Sequence, residues 1–194
     1  MKKVILKSIF ATMFGIISLT NSSAQEQENS FKNGVEINIL FPIYPGNEYA
    51  AKYTRVLWQK DQLKGELLLG LNVHPEHFRE TEGKFSDYAL STGYRQYFWK
   101  GLFVEYSQLN AFSSLKNHVT TGKDYNSFAL VSTGTAGYKY SFGKSKRIYS
   151  ILQMGIAKVV YKDNPWPILE DNTLQKEVGE TPFLYGGVQI GINF

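Results

Sequence analysis

The last thirteen residues, Pro182 to Phe194, read PFLYGGVQIGINF and restrict the possible folds more than any other stretch. Val188, Ile190, Ile192 and Phe194 recur at period two, with Gly187, Gln189, Gly191 and Asn193 between them. Side chains alternate across a strand, so the stretch predicts one apolar face and one small or polar face. The apolar face runs on to an aromatic at Phe194, where a soluble chain is usually frayed and polar. Such a face requires a surface to pack against.

The same alternation divides residues 33–194 into eight β-like segments, at 33–41, 48–59, 65–73, 85–98, 102–112, 127–142, 148–161 and 182–194. Val35, Ile37 and Ile39 oppose Glu36 and Asn38, and Leu67, Leu69 and Leu71 oppose Glu66 and Gly70. Leu90, Thr92 and Tyr94 oppose Ser91 and Arg95, and Val104 and Tyr106 oppose Glu105. Tyr138 and Tyr140 oppose Lys139, and Leu152 and Met154 oppose Gln153. The second segment is less regular, with Thr54, Val56 and Trp58 opposing Arg55. No amphipathic helix of convincing length interrupts the series.

The connections after the second, fourth and sixth segments are short, at 60–64, 99–101 and 143–147. Those after the odd segments are longer, and include 75–84, 113–125 and 162–181. An even number of antiparallel strands with short turns at one end and long loops at the other is the pattern of an outer-membrane barrel. The segment lengths suit a tilted strand that crosses a bilayer. Aromatics gather near both segment ends. Phe41, Tyr44, Tyr49, Phe85, Tyr88, Phe112, Tyr125, Phe128, Tyr161, Trp166 and Phe183 lie toward the long loops. Trp58, Tyr97, Phe98, Trp99, Phe103, Tyr140, Phe142, Tyr149 and Phe194 lie toward the short turns. Aromatic rings favour the headgroup region, so two belts are expected.

The N-terminus agrees with export. Lys2, Lys3 and Lys7 precede an apolar stretch from Ile9 to Leu19, and Ser22-Ser23-Ala24 forms a small-residue cleavage site. The apolar run is shorter than the ~20 residues of a spanning helix. Residues 1–24 are therefore expected to be a signal peptide removed after Ala24, residues 25–32 a loose lead-in, and residues 33–194 the barrel. Removing the three leader lysines from 21 bases leaves 18 against 17 acids, so the mature chain offers no electrostatic footprint for nucleic acid. The absence of cysteine excludes disulfides, thiolate metal sites and a cysteine nucleophile.

With this architecture and a terminal Phe194, the chain resembles the OmpA/OmpX-like family of small eight-stranded outer-membrane barrels. The resemblance implies an all-β, eight-stranded antiparallel up-and-down transmembrane β-barrel. It also implies that Phe194 is an assembly signal read by the barrel-assembly machinery. The GYRQYFWKGLFVEY stretch from Gly93 to Tyr106 looks like a hairpin of such barrels.

If the apolar faces meet outer-membrane lipid, Glu36, Arg55, Glu66, Arg95, Glu105, Lys139, Gln153 and Gln189 point inward. An eight-stranded barrel has an interior that side chains fill, so these groups are expected to pair into a polar plug. A narrow gate is the sharper alternative. In the loops, His74 and His77 with Glu80 and Glu82 could ligate zinc or copper, but a well-spaced third ligand is missing and no metal or other cofactor is expected. His118, near Ser113, Ser114 and Thr120, is the one candidate base for a lipid-modifying hydrolase, without an evident third group. Trp166, Ile168 and Leu169 form an apolar loop patch suited to mouth packing or to an unknown protein partner. The reading is a non-enzymatic barrel of structural, adhesive or interaction type. A lipid-modifying barrel enzyme and a soluble lipocalin-like binder, with all faces inverted, are the alternatives.

Overall fold

The computed structural model describes residues 31–43, 47–79, 83–163 and 181–194. Eight strands follow one another: β1 (Asn33–Asn38), β2 (Tyr49–Lys60), β3 (Leu63–Arg79), β4 (Gly83–Trp99), β5 (Leu102–Lys116), β6 (Tyr125–Ser141), β7 (Ile148–Lys162) and β8 (Phe183–Asn193). Each pairs antiparallel with its sequence neighbours, and β1 also pairs with β8, closing the barrel. The closure is made at the end of the chain. Asn33 N–H donates to the Phe194 carbonyl and Phe194 N–H donates to that of Asn33, which leaves no open edge there.

The strands are steeply tilted. Paired residues followed around the wall run from Gly34 at the short-turn end of β1 through Thr54, Leu68, Gly93, Ser107, Thr133 and Ala157. They end at Phe183, at the long-loop end of β8. Such stagger accompanies closure of a small barrel. The β4–β5 turn places Lys100 and Gly101 at φ 41° and 89°. Two successive positive values suit the right-handed twist of a two-residue hairpin.

Two expectations about strand length need correction. The ladder does not stop near residue 73 or 112. His77, Phe78 and Arg79 still pair with Phe85, Lys84 and Gly83, and Leu115 pairs with Tyr125. The expected loop at 75–84 therefore contracts to 80–82, and that at 113–125 to 117–124. The alternation that marks a strand is broken at Pro75-Glu76, because a bulge lies between His74 and His77. A bulge shifts the side-chain phase while pairing continues on either side.

Alternation puts apolar side chains on the outer wall. Leu67, Leu69 and Leu71, Val35 and Ile37, Ile190 and Ile192, Val104, Met154 and Ile156 are all exposed there. Trp58, Phe98, Trp99, Tyr140, Phe142 and Phe194 are exposed at the short-turn end, and Tyr49, Tyr88, Phe112 and Tyr161 at the other. The belts are thinner than expected. Phe41, Phe85, Tyr97, Phe103 and Tyr149 are buried inside the barrel. Tyr97 has the phase of Arg95, Phe103 that of Glu105, and Tyr149 that of Gln153, so each ring follows its strand's inward face.

Candidate functional site: an ionic knot across the lumen

The lumen is tied together at Arg95, which is completely buried (0% exposed). Glu66 on β3, Arg95 on β4 and Glu105 on β5 are register partners, so their side chains project side by side. Glu36 reaches Arg95 from β1, on the opposite wall. Arg95 Nη1 and Nη2 donate to the two Glu36 carboxylate oxygens at 2.7 and 2.9 Å, a bidentate pair. Arg95 Nε and Nη2 both donate to Glu105 Oε2, at 2.9 and 2.8 Å. Nη1 also donates to Glu66 Oε2 at 3.4 Å and to the Tyr97 hydroxyl at 3.3 Å. The guanidinium lies over the Phe103 ring, 4.6 Å from its centroid. Each of its three nitrogens thus has a partner, which is what burial of a full charge demands.

Three lysines surround the acids. Lys52 Nζ donates to Glu105 at 2.6 Å, and Lys64 Nζ lies 3.0 Å from Glu66. Lys139 donates to Asn193 at 3.2 Å and sits 3.7 Å above the Tyr149 ring. The Tyr149 hydroxyl in turn donates to Glu36 at 3.1 Å, and that of Tyr97 to Glu66 at 3.2 Å. The network therefore links all eight strands through the lumen. Tyr149 fits because Gly34 and Gly191 face it. A Cβ on Gly191 would lie 2.3 Å from its ring, and one on Gly34 2.9 Å from its hydroxyl.

Seven of the eight residues expected to face the lumen are buried there: Glu36, Glu66, Arg95, Glu105, Lys139, Gln153 and Gln189. Arg55 is not. It is exposed on the outer wall, paired with Asn33 and Leu67. Expecting it inside was an error of phase on β2, where Lys52 and Thr54 point inward instead. A bulge between Val56 and Trp58 leaves Leu57 and Trp58 both exposed, which hid the true phase. Had Arg55 faced inward, Tyr49, Tyr53 and Leu57 would have followed it into a filled lumen. Lys52, Lys64, Tyr97, Phe103 and Tyr149 were missed as members of the knot. The phase of each strand placed the last four, and only the register placed Lys52.

The loop candidates are not assembled into a site. The Pro75 bulge turns His74 and His77 onto the same side, where their rings stack at 4.4 Å with Phe85 edge-on to both. Stacked rings do not converge on a common point, and no group of three metal-ligating residues occurs among the described residues. His118 is buried. Its Nδ1 accepts from the Thr121 N–H at 3.2 Å and its ring lies edge-on to Tyr125. Among the described residues, no hydrogen bond joins it to Ser113 or Ser114. Phe194 is exposed at the short-turn rim. Trp166, Ile168, Leu169, Tyr44, Glu80, Glu82 and the expected signal peptide lie outside the described residues.

Comparison with protein-family models, with curated proteins and with solved structures finds no match to this chain.

Proposed function

We propose that the protein is an exported outer-membrane barrel that acts as a closed, rigid platform, presenting its loops to lipid or to a protein partner at the cell surface. The observation that carries this reading is the sidedness of the wall. Apolar side chains cover most of the outside between two sets of aromatic rings, with Arg55 an exception, and Glu36, Glu66, Arg95, Glu105 and Lys139 are enclosed. A lipocalin-like binder in water has the opposite arrangement. Exposed apolar surface of this extent is costly in water and favourable in hydrocarbon.

The saturated guanidinium supports a plug rather than a gate. Every nitrogen of Arg95 is engaged, so an ion entering the lumen would have to break charge-assisted hydrogen bonds to pass. Cell fractionation tests the reading. The chain is expected in the outer-membrane fraction, to require detergent for extraction and to migrate differently on gels before and after heating. Recovery in the soluble fraction without detergent would overturn it.

A further inference from the structure

Beyond the knot, at the end of the barrel where β2 and β8 begin, the described residues leave a half-enclosed cavity of about 170 Å³ inside the barrel. Its walls are small and apolar, with Ala89, Leu109, Ala111 and Val131 on one side and the aromatic rings of Phe183 and Tyr185 on the other. Tyr185 is held edge-on against Phe41, with centroids 6.0 Å apart. The charged groups on the wall are Glu48 and Asp87, with His74 beside them, and among the described residues no lysine or arginine lines the cavity. Glu48 differs from the acids of the knot below, each of which touches a cation. Glu48 accepts a hydrogen bond from Asn72 Nδ2 at 3.0 Å, and no cation pairs with it among the described residues.

We infer that this cup binds a small organic ammonium ion, its charge against Glu48 and its alkyl groups against Phe183 and Tyr185. The chemistry of the walls selects that class. An anion would meet the Glu48 carboxylate, with no lysine or arginine lining the cavity among the described residues. A neutral apolar guest would leave the Glu48 carboxylate uncompensated in a partly dry site, which is costly. A bare calcium or magnesium ion needs six or more oxygen ligands, which apolar walls do not supply. Among the described residues no three histidine or carboxylate groups are placed to hold a metal such as zinc. An alkylammonium ion satisfies the carboxylate and places polarised C–H groups on aromatic faces, an arrangement known to hold quaternary ammonium groups. Size agrees, since an engineered cavity of about 150 Å³ holds benzene. Burial already raises the carboxyl of Glu48 above its ordinary value, so a cation brought beside it gains from the desolvation that the site imposes.

The inference concerns the inside of the barrel and does not depend on what surrounds the outside. Its test uses the folded full-length chain, with choline as probe and 3,3-dimethylbutan-1-ol as the neutral probe of the same shape, at constant ionic strength. Ligand-observed NMR is expected to show saturable choline binding, at least tenfold tighter than the alcohol. Glu48→Gln should remove that preference, and Phe183→Leu should weaken choline several-fold. Glu76→Gln alters an exposed acid paired with Lys84 and Lys116, and should change nothing. Absence of saturable choline binding by folded protein, equal binding of the two probes, or an unaltered preference in Glu48→Gln would each overturn the inference. Detergent extraction reports separately on the membrane reading, so the two can fail independently.

Discussion

Replacing Arg95 with methionine tests whether the knot holds the barrel together. The substitution keeps much of the side-chain length over Phe103 but removes every donor. Glu36 then loses a bidentate partner at 2.7 and 2.9 Å, and Glu105 loses two contacts at 2.8 and 2.9 Å. Lys52 still faces Glu105 and Lys64 still faces Glu66, whereas Glu36 keeps only the Tyr149 hydroxyl among these contacts. Removing one partner of a buried ion pair typically costs about 3–5 kcal/mol. That is roughly two to three and a half powers of ten in the folded-to-unfolded ratio. Urea unfolding in lipid vesicles, followed by tryptophan fluorescence, measures it against wild type. A second replacement, Glu36→Gln in the Arg95→Met background, removes the carboxylate left most exposed to the loss. It is expected to recover part of the stability, because the cost lies in the stranded charge rather than in the missing contact. Arg55→Met is the control. Its side chain is exposed on the outer wall, and surface changes of this kind usually stay within about 0.5 kcal/mol. A stability of Arg95→Met equal to that of Arg55→Met would refute the reasoning. So would a double variant less stable than the single one.

Gly191→Val should destabilise the barrel by about 1–3 kcal/mol through overpacking against Tyr149, measured in the same urea titration. The intact protein in a planar bilayer should show no stepwise ionic current, because the knot spans the lumen; steady conductance at neutral pH would contradict this. Burial holds the Glu48 carboxyl above its ordinary 4.5, against the smaller opposing effect of the Asn72 hydrogen bond. The folded state therefore binds that proton more tightly than the unfolded state does. Glu48's contribution to stability grows as pH falls through its folded value toward 4.5 and is lost as pH rises, so the wild-type minus Glu48→Gln difference should follow that slope. If the proposed export and cleavage occur, mass spectrometry of the chain recovered from cells should find Gln25 as its first residue.

Period-two alternation in the sequence determined that the chain is all-β, how many strands it has and, for seven of them, which face carries the polar groups. That signal is local, since each residue's face is fixed by its neighbours two positions away. The same phase assigns Tyr97, Phe103 and Tyr149 to the inside, where aromatic character alone had wrongly assigned them to the belts. The alternation failed where the phase slips. The bulge after Val56 concealed Lys52 behind Arg55, and the bulge at Pro75 made a continuing strand read as a loop. Only the closed tertiary structure decided which charges meet. Glu36 and Arg95 lie on opposite walls, and their contact exists because a barrel of eight tilted strands is narrow enough for two side chains to span it. The cup beyond the knot was likewise invisible in the sequence. A cavity is set by side chains from many strands that stop short of one another, and no single stretch of residues records where they stop.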